Sequence, residues 1–204
     1  MPAAPARTIV RILDDARLHA SPGGAVLVDG GYVATEHGSA WVLRRSGDWL
    51  QIPTMKNRKA SRGWIRRTAH RPLRRTRMLV RVDLSDRRMR VTHGARLLMS
   101  APVAVGGAGS PSPIGATSVA ERIAVTSDSG LSTPGYGPVV IALRMWQPLP
   151  SAGLPFGGVM AFHGTRDRAS IGTASSAGCF RMHDGDARRL ARLVRAGTPV
   201  IIRR

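Results

Sequence analysis

The chain has 204 residues, 43% apolar and only 4% aromatic, enough for one ordinary domain or two small ones with aliphatic cores. Its formal net charge of +19 comes almost entirely from arginine, and because the arginines are scattered rather than gathered in one block, solvated faces are favoured over nucleic acid as the main partner. A single cysteine excludes an internal disulfide and any multi-cysteine metal site, and no run approaches the ~20 apolar residues of a transmembrane segment.

Glycine and proline are spread throughout, which favours short strands and turns over long helices. From Thr8 the runs TIVRIL, RLHASPGG, AVLVDGG, AWVLRRSGDWLQIPT and GWIRR are β-prone and separated by Gly, Pro, Asn and Ser clusters, the spacing of a small barrel. Trp41, Trp49 and Trp64 fall in three of these runs and are expected to form the heart of that unit. Arg17-Leu18-His19-Ala20-Ser21-Pro22, Ser46-Gly47-Asp48-Trp49-Leu50 and Gly63-Trp64-Ile65 together resemble a bacterial SH3-like domain over residues 8–67. That resemblance implies a role in docking to cell-wall peptide or in packing on a partner domain. The basic stretch 55–62 reads as a solvated hairpin tip, and 68–77, with Pro72 and a charge run, as a linker.

A second domain is expected over 78–204. Leu79, Arg81 and Asp83 alternate with Val80, Val82 and Leu84 in the manner of a half-buried strand, and a polar turn at Ser85-Asp86 leads into a second. Gly109-Ser110-Pro111-Ser112-Pro113-Ile114-Gly115 reads as a structural turn. Strands over 116–125 and 138–146 flank a Ser/Gly/Pro-rich loop, and the loop 147–158 precedes the strand Val159-Met160-Ala161-Phe162. Long loops beside a chemically equipped strand tend to be binding walls, so Trp146 and Phe156 are candidate groove residues. Residues 183–194 form the clearest helix, with Asp184 or Asp186 as its cap and Leu190, Leu193 and Val194 as its apolar stripe. Gly197 ends it, and Pro199-Val200-Ile201-Ile202 is a closing strand.

The chemistry lies between Phe162 and Met182. Cys179 stands in Ser176-Ala177-Gly178-Cys179-Phe180-Arg181, and His163 in Phe162-His163-Gly164-Thr165. A thiol attacks only as thiolate, so an imidazole able to take its proton is the minimum equipment for covalent acyl transfer. Gly178 permits a sharp turn that brings an amide towards a substrate carbonyl, as an oxyanion site requires. Gly164 leaves a main-chain carbonyl beside the imidazole to fix its tautomer. Arg181, two positions after the thiol on an extended chain, shares its side and could favour the thiolate or hold a substrate carboxylate. A lone cysteine and a lone histidine are more often structural, and these flanking residues shift the balance towards catalysis.

His-Gly, a spacer, then Ser-x-Gly-Cys-apolar-Arg resembles the L,D-transpeptidases with a YkuD-type catalytic domain. The pattern departs at Ala177, where that family commonly has a second histidine. The resemblance implies a mainly β fold, an SH3-like barrel followed by a β-sandwich catalytic domain with a short C-terminal helix. It also implies a cysteine thioester route on peptidoglycan stem peptides, with Cys179, His163, Gly164 and Arg181 catalytic and Gly178, Ser176, Thr165, Ala177, Trp146 and Phe156 contacting substrate. No metal or organic cofactor is called for. A periplasmic or secreted, wall-associated location is implied, although Met1 to Arg7 has no apolar signal core. L,D-carboxypeptidase activity and a weakly active or inactive basic wall-binding protein are the alternatives. Papain-like and NlpC-like peptidases have Cys before His, and sortases carry a Thr-Leu-x-Thr-Cys run that is absent here.

Overall fold

The computed structural model describes residues 5–28, 38–57, 61–129, 131, 135–147 and 158–204. The N-terminal strands are β1 (Arg7–Ile12), β2 (Leu18–His19), β3 (Val26–Val28), β4 (Ser39–Trp41), β5 (Arg44–Ser46), β6 (Trp49–Pro53), β7 (Arg62–Arg66) and β8 (His70–Thr76). They form a five-stranded sheet ordered β3-β2-β7-β6-β5 and a three-stranded one ordered β4-β1-β8. Ser46 pairs with Trp49 across the turn Gly47-Asp48, and Gly47 has φ +52°, the left-handed backbone that a two-residue hairpin demands.

Two expectations change here. Residues 70–76 are not a linker but a strand, paired antiparallel to β1 from Arg7↔Thr76 to Ile12↔His70. Pro72 falls on the edge strand of this sheet, beside the register shift at Ile9/Val10, where a proline is tolerated. Trp41 and Trp49 are likewise not at the heart of this half; Trp64 is buried, but the main buried cluster is aliphatic: Val10, Ile12, Leu18, Leu50, Ile52 and Ile65. Strand alternation explains it. Leu50 pairs with Ile65 on the inner face, which puts Trp49 opposite Arg66, and Gln51 opposite Trp64, on the other face. There Trp49 meets the His19 ring edge-on at 4.8 Å and carries the Arg66 guanidinium 5.6 Å from its centroid. Trp41 is covered in the same way by Arg7.

The C-terminal half contains β9 (Met78–Asp83), β10 (Arg88–His93), β11 (Arg96–Pro102), β12 (Val105–Gly106), β13 (Gly115–Ala124), β14 (Val139–Trp146), β15 (Val159–Gly164), β16 (Ala174–Ser176), β17 (Phe180–Met182), helix α1 (Asp184–Leu193) and β18 (Pro199–Arg203). Eight of these strands run in one hydrogen-bonded order, β11-β10-β9-β18-β13-β14-β15-β17, while β12 and β16 form a small parallel pair. The ten-residue β13 is the corner of this sheet: Gly115 to Ser118 pair with β18, and Val119 to Ala124 with β14 across a register shift. One buried cluster collects residues from both arms, Val80, Met89 and Met99 on one side and Ile141, Phe162 and Phe180 on the other. The fold is mainly β with one α-helix among the described residues.

Helix α1 buries Ala187 and Leu190 against that cluster, with Val194 following its last turn and Leu193 half-buried. Its N-cap is His183, with no side-chain cap bond. Asp184 and Asp186 lie inside the first turn instead, where negative charge opposes the helix dipole. Gly197, at φ +82°, closes onto the N-terminal half so tightly that a Cβ there would stand 2.6 Å from Ile9 Cγ2. The two halves are joined by polar contacts as well. Arg144 is fully buried and its Nε donates to the Ser39 carbonyl at 3.1 Å, and Arg74 donates to the Ala196 carbonyl at 2.9 Å. Burial pushes the Arg144 guanidinium down to about 9. No helix among the described residues is long and apolar enough to cross a membrane.

Candidate active site

The site is one face of four neighbouring strands. Register pairs Ile123 with Val140, Glu121 with Ala142, Val140 with His163, Ala142 with Ala161, and His163 with Arg181. Paired residues share a face, and so do residues two apart on one strand. Glu121, Ile123, Val140, Ala142, Ala161, His163, Cys179 and Arg181 accordingly all line a single cavity of about 590 Å³. The intervening residues Ile141, Phe162, Phe180 and Met182 point the other way into the core. The sixteen-position separation of His163 and Cys179 in sequence is thus closed by the parallel pairing of β15 with β17.

His163 is buried and its Nδ1 lies 2.7 Å from the Gly164 carbonyl. A carbonyl only accepts, so Nδ1 carries the hydrogen and Nε2 of the neutral ring is the acceptor. Tyr136 packs on the imidazole, ring centroids 4.8 Å apart. Burial depresses the imidazole to about 4, the Arg181 cation adds to the effect, and carbonyl contacts at Gly164 and Gly135 oppose it. Cys179 is half-buried, and its Sγ lies 3.8 Å from the Val159 carbonyl, to which the thiol donates. Burial pushes the thiol up, more than the Ala161 backbone contact and Arg181 pull it down. These directions favour a neutral thiol beside a neutral imidazole at rest; Arg181 pulls the thiol towards the thiolate, in the direction expected of it, but burial is the larger effect.

The loop before the thiol is held by its carbonyls. Ser176 O accepts from the Gly107 amide at 3.0 Å and Ala177 O from Ser110 Oγ at 2.9 Å. Gly178 O accepts from Ser112 Oγ at 2.6 Å, and Cys179 O from Ser176 Oγ at 2.6 Å. Four successive carbonyls are thereby fixed by donors outside the cavity. Gln147 Nε2 adds a bond to Ser110 Oγ at 2.9 Å. Gly178 has φ +119°, and a Cβ there would meet Gln147 Nε2 at 2.6 Å, so the residue is required both for the turn and for the fit.

The YkuD L,D-transpeptidase catalytic domain matches residues 77–202 of this chain. The chain belongs to the YkuD family. The YkuD protein of Bacillus licheniformis is 32% identical over 131 residues, 60% of this chain, which in turn spans 64% of that relative's length. The YkuD protein of Bacillus subtilis is 55% identical over 42 residues, 21% of this chain and 26% of its own. Among solved structures, L,D-transpeptidase 3 of Mycobacterium tuberculosis is 13% identical at a TM-score of 0.50, over 70% of this chain and 74% of that one. The L,D-transpeptidase LdtMt1 in complex with imipenem is 15% identical at 0.50, over 95% and 82%. These two share the fold.

Within this YkuD domain the residues singled out from sequence divide clearly. Cys179, His163, Arg181, Ala177 and Thr165 line the cavity. Ser176 is buried and ties the turn, its Oγ accepting from the Gly178 amide at 3.1 Å while donating to Cys179 O. Gly164 orients the imidazole through its carbonyl and has no room for a side chain, since a Cβ would stand 2.2 Å from Asp184 Oδ1. Trp146 is not on the cavity wall: its indole Nε1 donates to the Met55 carbonyl and its amide to Ser61 Oγ. Phe156 lies outside the described residues. His183, at the exposed start of α1, is absent from the lining.

Sequence reasoning missed Tyr136, Gln147, Asp167, Glu121 and Met55, all of which line the cavity. Tyr136 and Gln147 sat in loops marked as Ser/Gly/Pro-rich or as walls, where a lone aromatic or amide was the available signal. Asp167 pairs with Arg181 at 3.8 Å. That carboxylate follows His163 by four residues, within the stretch already selected for its chemistry.

Proposed function

We propose that this YkuD domain acts as a peptidoglycan L,D-transpeptidase through a thioester on Cys179. The observation that carries the reading is the placement of Cys179 and a tautomer-fixed His163 on one face of paired strands, in one cavity. On substrate binding, His163 Nε2 takes the thiol proton and the thiolate sulfur attacks the amide carbonyl between diaminopimelate and the terminal D-Ala. The oxyanion is assigned to the Cys179 amide, because the Gly178 amide is directed to Ser176 Oγ. Such a donor lowers the barrier by a few kcal/mol. The imidazolium returns its proton to the leaving nitrogen, the C–N bond breaks, D-Ala departs and the thioester remains. A second stem's amine, deprotonated by His163, then attacks the thioester and restores the thiol.

Two surroundings support the assignment of the parts. Arg181 and Arg166 line the cavity and supply positive charge suited to the substrate carboxylate, with Asp167 exchanging its hold on Arg181 for that group. We infer that the N-terminal half is an SH3-like unit, and that Trp41 and Trp49, half-buried with an arginine against each ring, support a reading of wall contact and of a location at the cell wall outside the cytoplasm.

Purified tetrapeptide muropeptides, with products analysed by mass spectrometry, test the reading. Release of D-Ala with formation of a cross-linked dimer, lost in Cys179→Ala, is the expected result. Release of D-Ala with only a tripeptide would make the enzyme an L,D-carboxypeptidase. No D-Ala release, together with no adduct on incubation with imipenem, would sink the thioester mechanism.

A further inference from the structure

Among the described residues that line the cavity, Met55 alone comes from outside residues 77–202. It lies just after β6, in the stretch that sequence alone assigns to a solvated hairpin tip. Instead, the described residues at its two ends are tied to one another and docked on the other half. Within the turn, the Thr54 amide donates to the Ser61 carbonyl at 3.0 Å, Ser61 N to Asn57 O at 2.7 Å, and Asn57 Nδ2 to Arg62 O at 2.8 Å. Across to the catalytic half, the Trp146 amide donates to Ser61 Oγ at 3.1 Å and the Trp146 indole to the Met55 carbonyl.

Trp146 also sits close to the chemistry. It pairs in register with Val159, whose carbonyl accepts the Cys179 thiol proton. The next residue, Gln147, anchors Ser110 Oγ, which holds the Ala177 carbonyl of the nucleophile loop. Met55 is thus tied to the same strand end that supports the thiol. The Met55 side chain is half-buried, apolar and adaptable in shape, the type of residue that packs against an aliphatic portion of a bound molecule.

We propose that Met55, just after β6 in the N-terminal half, forms one wall of the acyl-donor cavity as a specificity residue touching the substrate beside the Cys179 thiol, with Trp146 the positioning residue that holds it there. The site is then composite, and the N-terminal half takes part in substrate selection. The identity of the substrate rests on the transpeptidase reading, but the position of the wall does not.

The test uses the full chain and its single thiol, labelled with iodoacetamide as a small probe and with a fluorescein maleimide as a bulky one, both followed by intact mass. Met55→Ala should raise the bulky-to-small rate ratio at least threefold, and Met55→Trp should lower it at least tenfold. Trp146→Phe, which removes the N–H and keeps a ring, should shift the ratio in the direction of Met55→Ala. With tetrapeptide stem as substrate, Met55→Ala should raise KM several-fold more than it lowers kcat. If Met55→Trp does not fold, Met55→Ala carries the test in the opposite direction. A labelling ratio within twofold of the parent in the folded Met55 variants overturns the wall. Loss of imipenem adduct formation in the parent chain, with the labelling ratios shifting as stated, would overturn the transpeptidase reading and leave the wall standing.

Discussion

Ser112 Oγ lies 2.6 Å from the Gly178 carbonyl oxygen and donates to it, while accepting from the Gly106 amide at 2.8 Å. One hydroxyl, 66 residues from the glycine in sequence, thus fixes the turn that presents Cys179. The proline-containing stretch 109–115, which sequence alone assigns to a structural turn, is the brace of the loop that carries Cys179.

Ser112→Ala leaves a buried carbonyl and the Gly106 amide without this partner, a cost of about 1–3 kcal/mol. The melting temperature should drop by roughly 2–12 °C, at about 2–4 °C per kcal/mol for a chain of this size. Acylation by imipenem, read by intact mass, should slow about tenfold, because the loop loses its set position. An unchanged melting curve would show that the hydroxyl is dispensable.

Gly178→Ala places a methyl 2.6 Å from Gln147 Nε2 on a backbone with φ +119°. Both effects act together, so the variant should lose more than tenfold in acylation rate. Gln147→Ala in the same chain should restore part of that loss, since it removes the obstructing amide. The double variant being no faster than Gly178→Ala would assign the whole effect to the backbone.

Resting neutrality of the Cys179–His163 pair sets the pH behaviour. The thiol is pushed above its usual range by burial, so iodoacetamide labelling of the free enzyme should climb with pH through the alkaline side of an ordinary cysteine, with no acidic plateau. The imidazole, depressed to about 4, is unprotonated and able to accept a proton across pH 5–8. Stopped labelling at intervals from pH 4 to 10 checks this. A plateau reached by pH 6 would mean a thiolate–imidazolium pair instead.

The same imidazole makes folding sensitive to acid. Its folded pKa lies below the unfolded value, so the unfolded state binds more protons between about 4 and 6.5. Stability is thus fully present above 6.5 and is lost as pH falls towards 4. A depression of this size corresponds to about 3 kcal/mol. Urea unfolding at pH 7 and pH 4.5 should show a larger loss in the parent than in His163→Asn, which cannot titrate. Equal losses in both would place the acid sensitivity elsewhere.

The local pattern was legible residue by residue. Alternation marked the strand around Leu79, and β-prone runs bounded by turn residues marked those around Ala116 and Val159, because strand patterns and turns are properties of a residue and its immediate neighbours. The pairing of 70–76 with β1 was hidden by Pro72 and its charge run, since an edge strand tolerates both. The surface placement of Trp49 and Trp41 was hidden because period-two alternation does not say which face is inner.

Sequence by itself determined the reagents of this site: one thiol, one imidazole sixteen residues away, and the glycines that shape the turns around them. Tertiary structure decided their state and their enclosure. Parallel pairing of β15 with β17 put both on one face, burial pushed the thiol up and the imidazole down, Ser110, Ser112 and Gln147 fixed the loop from distant segments, and Met55 entered from the other half of the chain. The reason is physical: residue chemistry is written locally, whereas desolvation and long-range hydrogen bonds exist only once segments far apart in the chain have packed together.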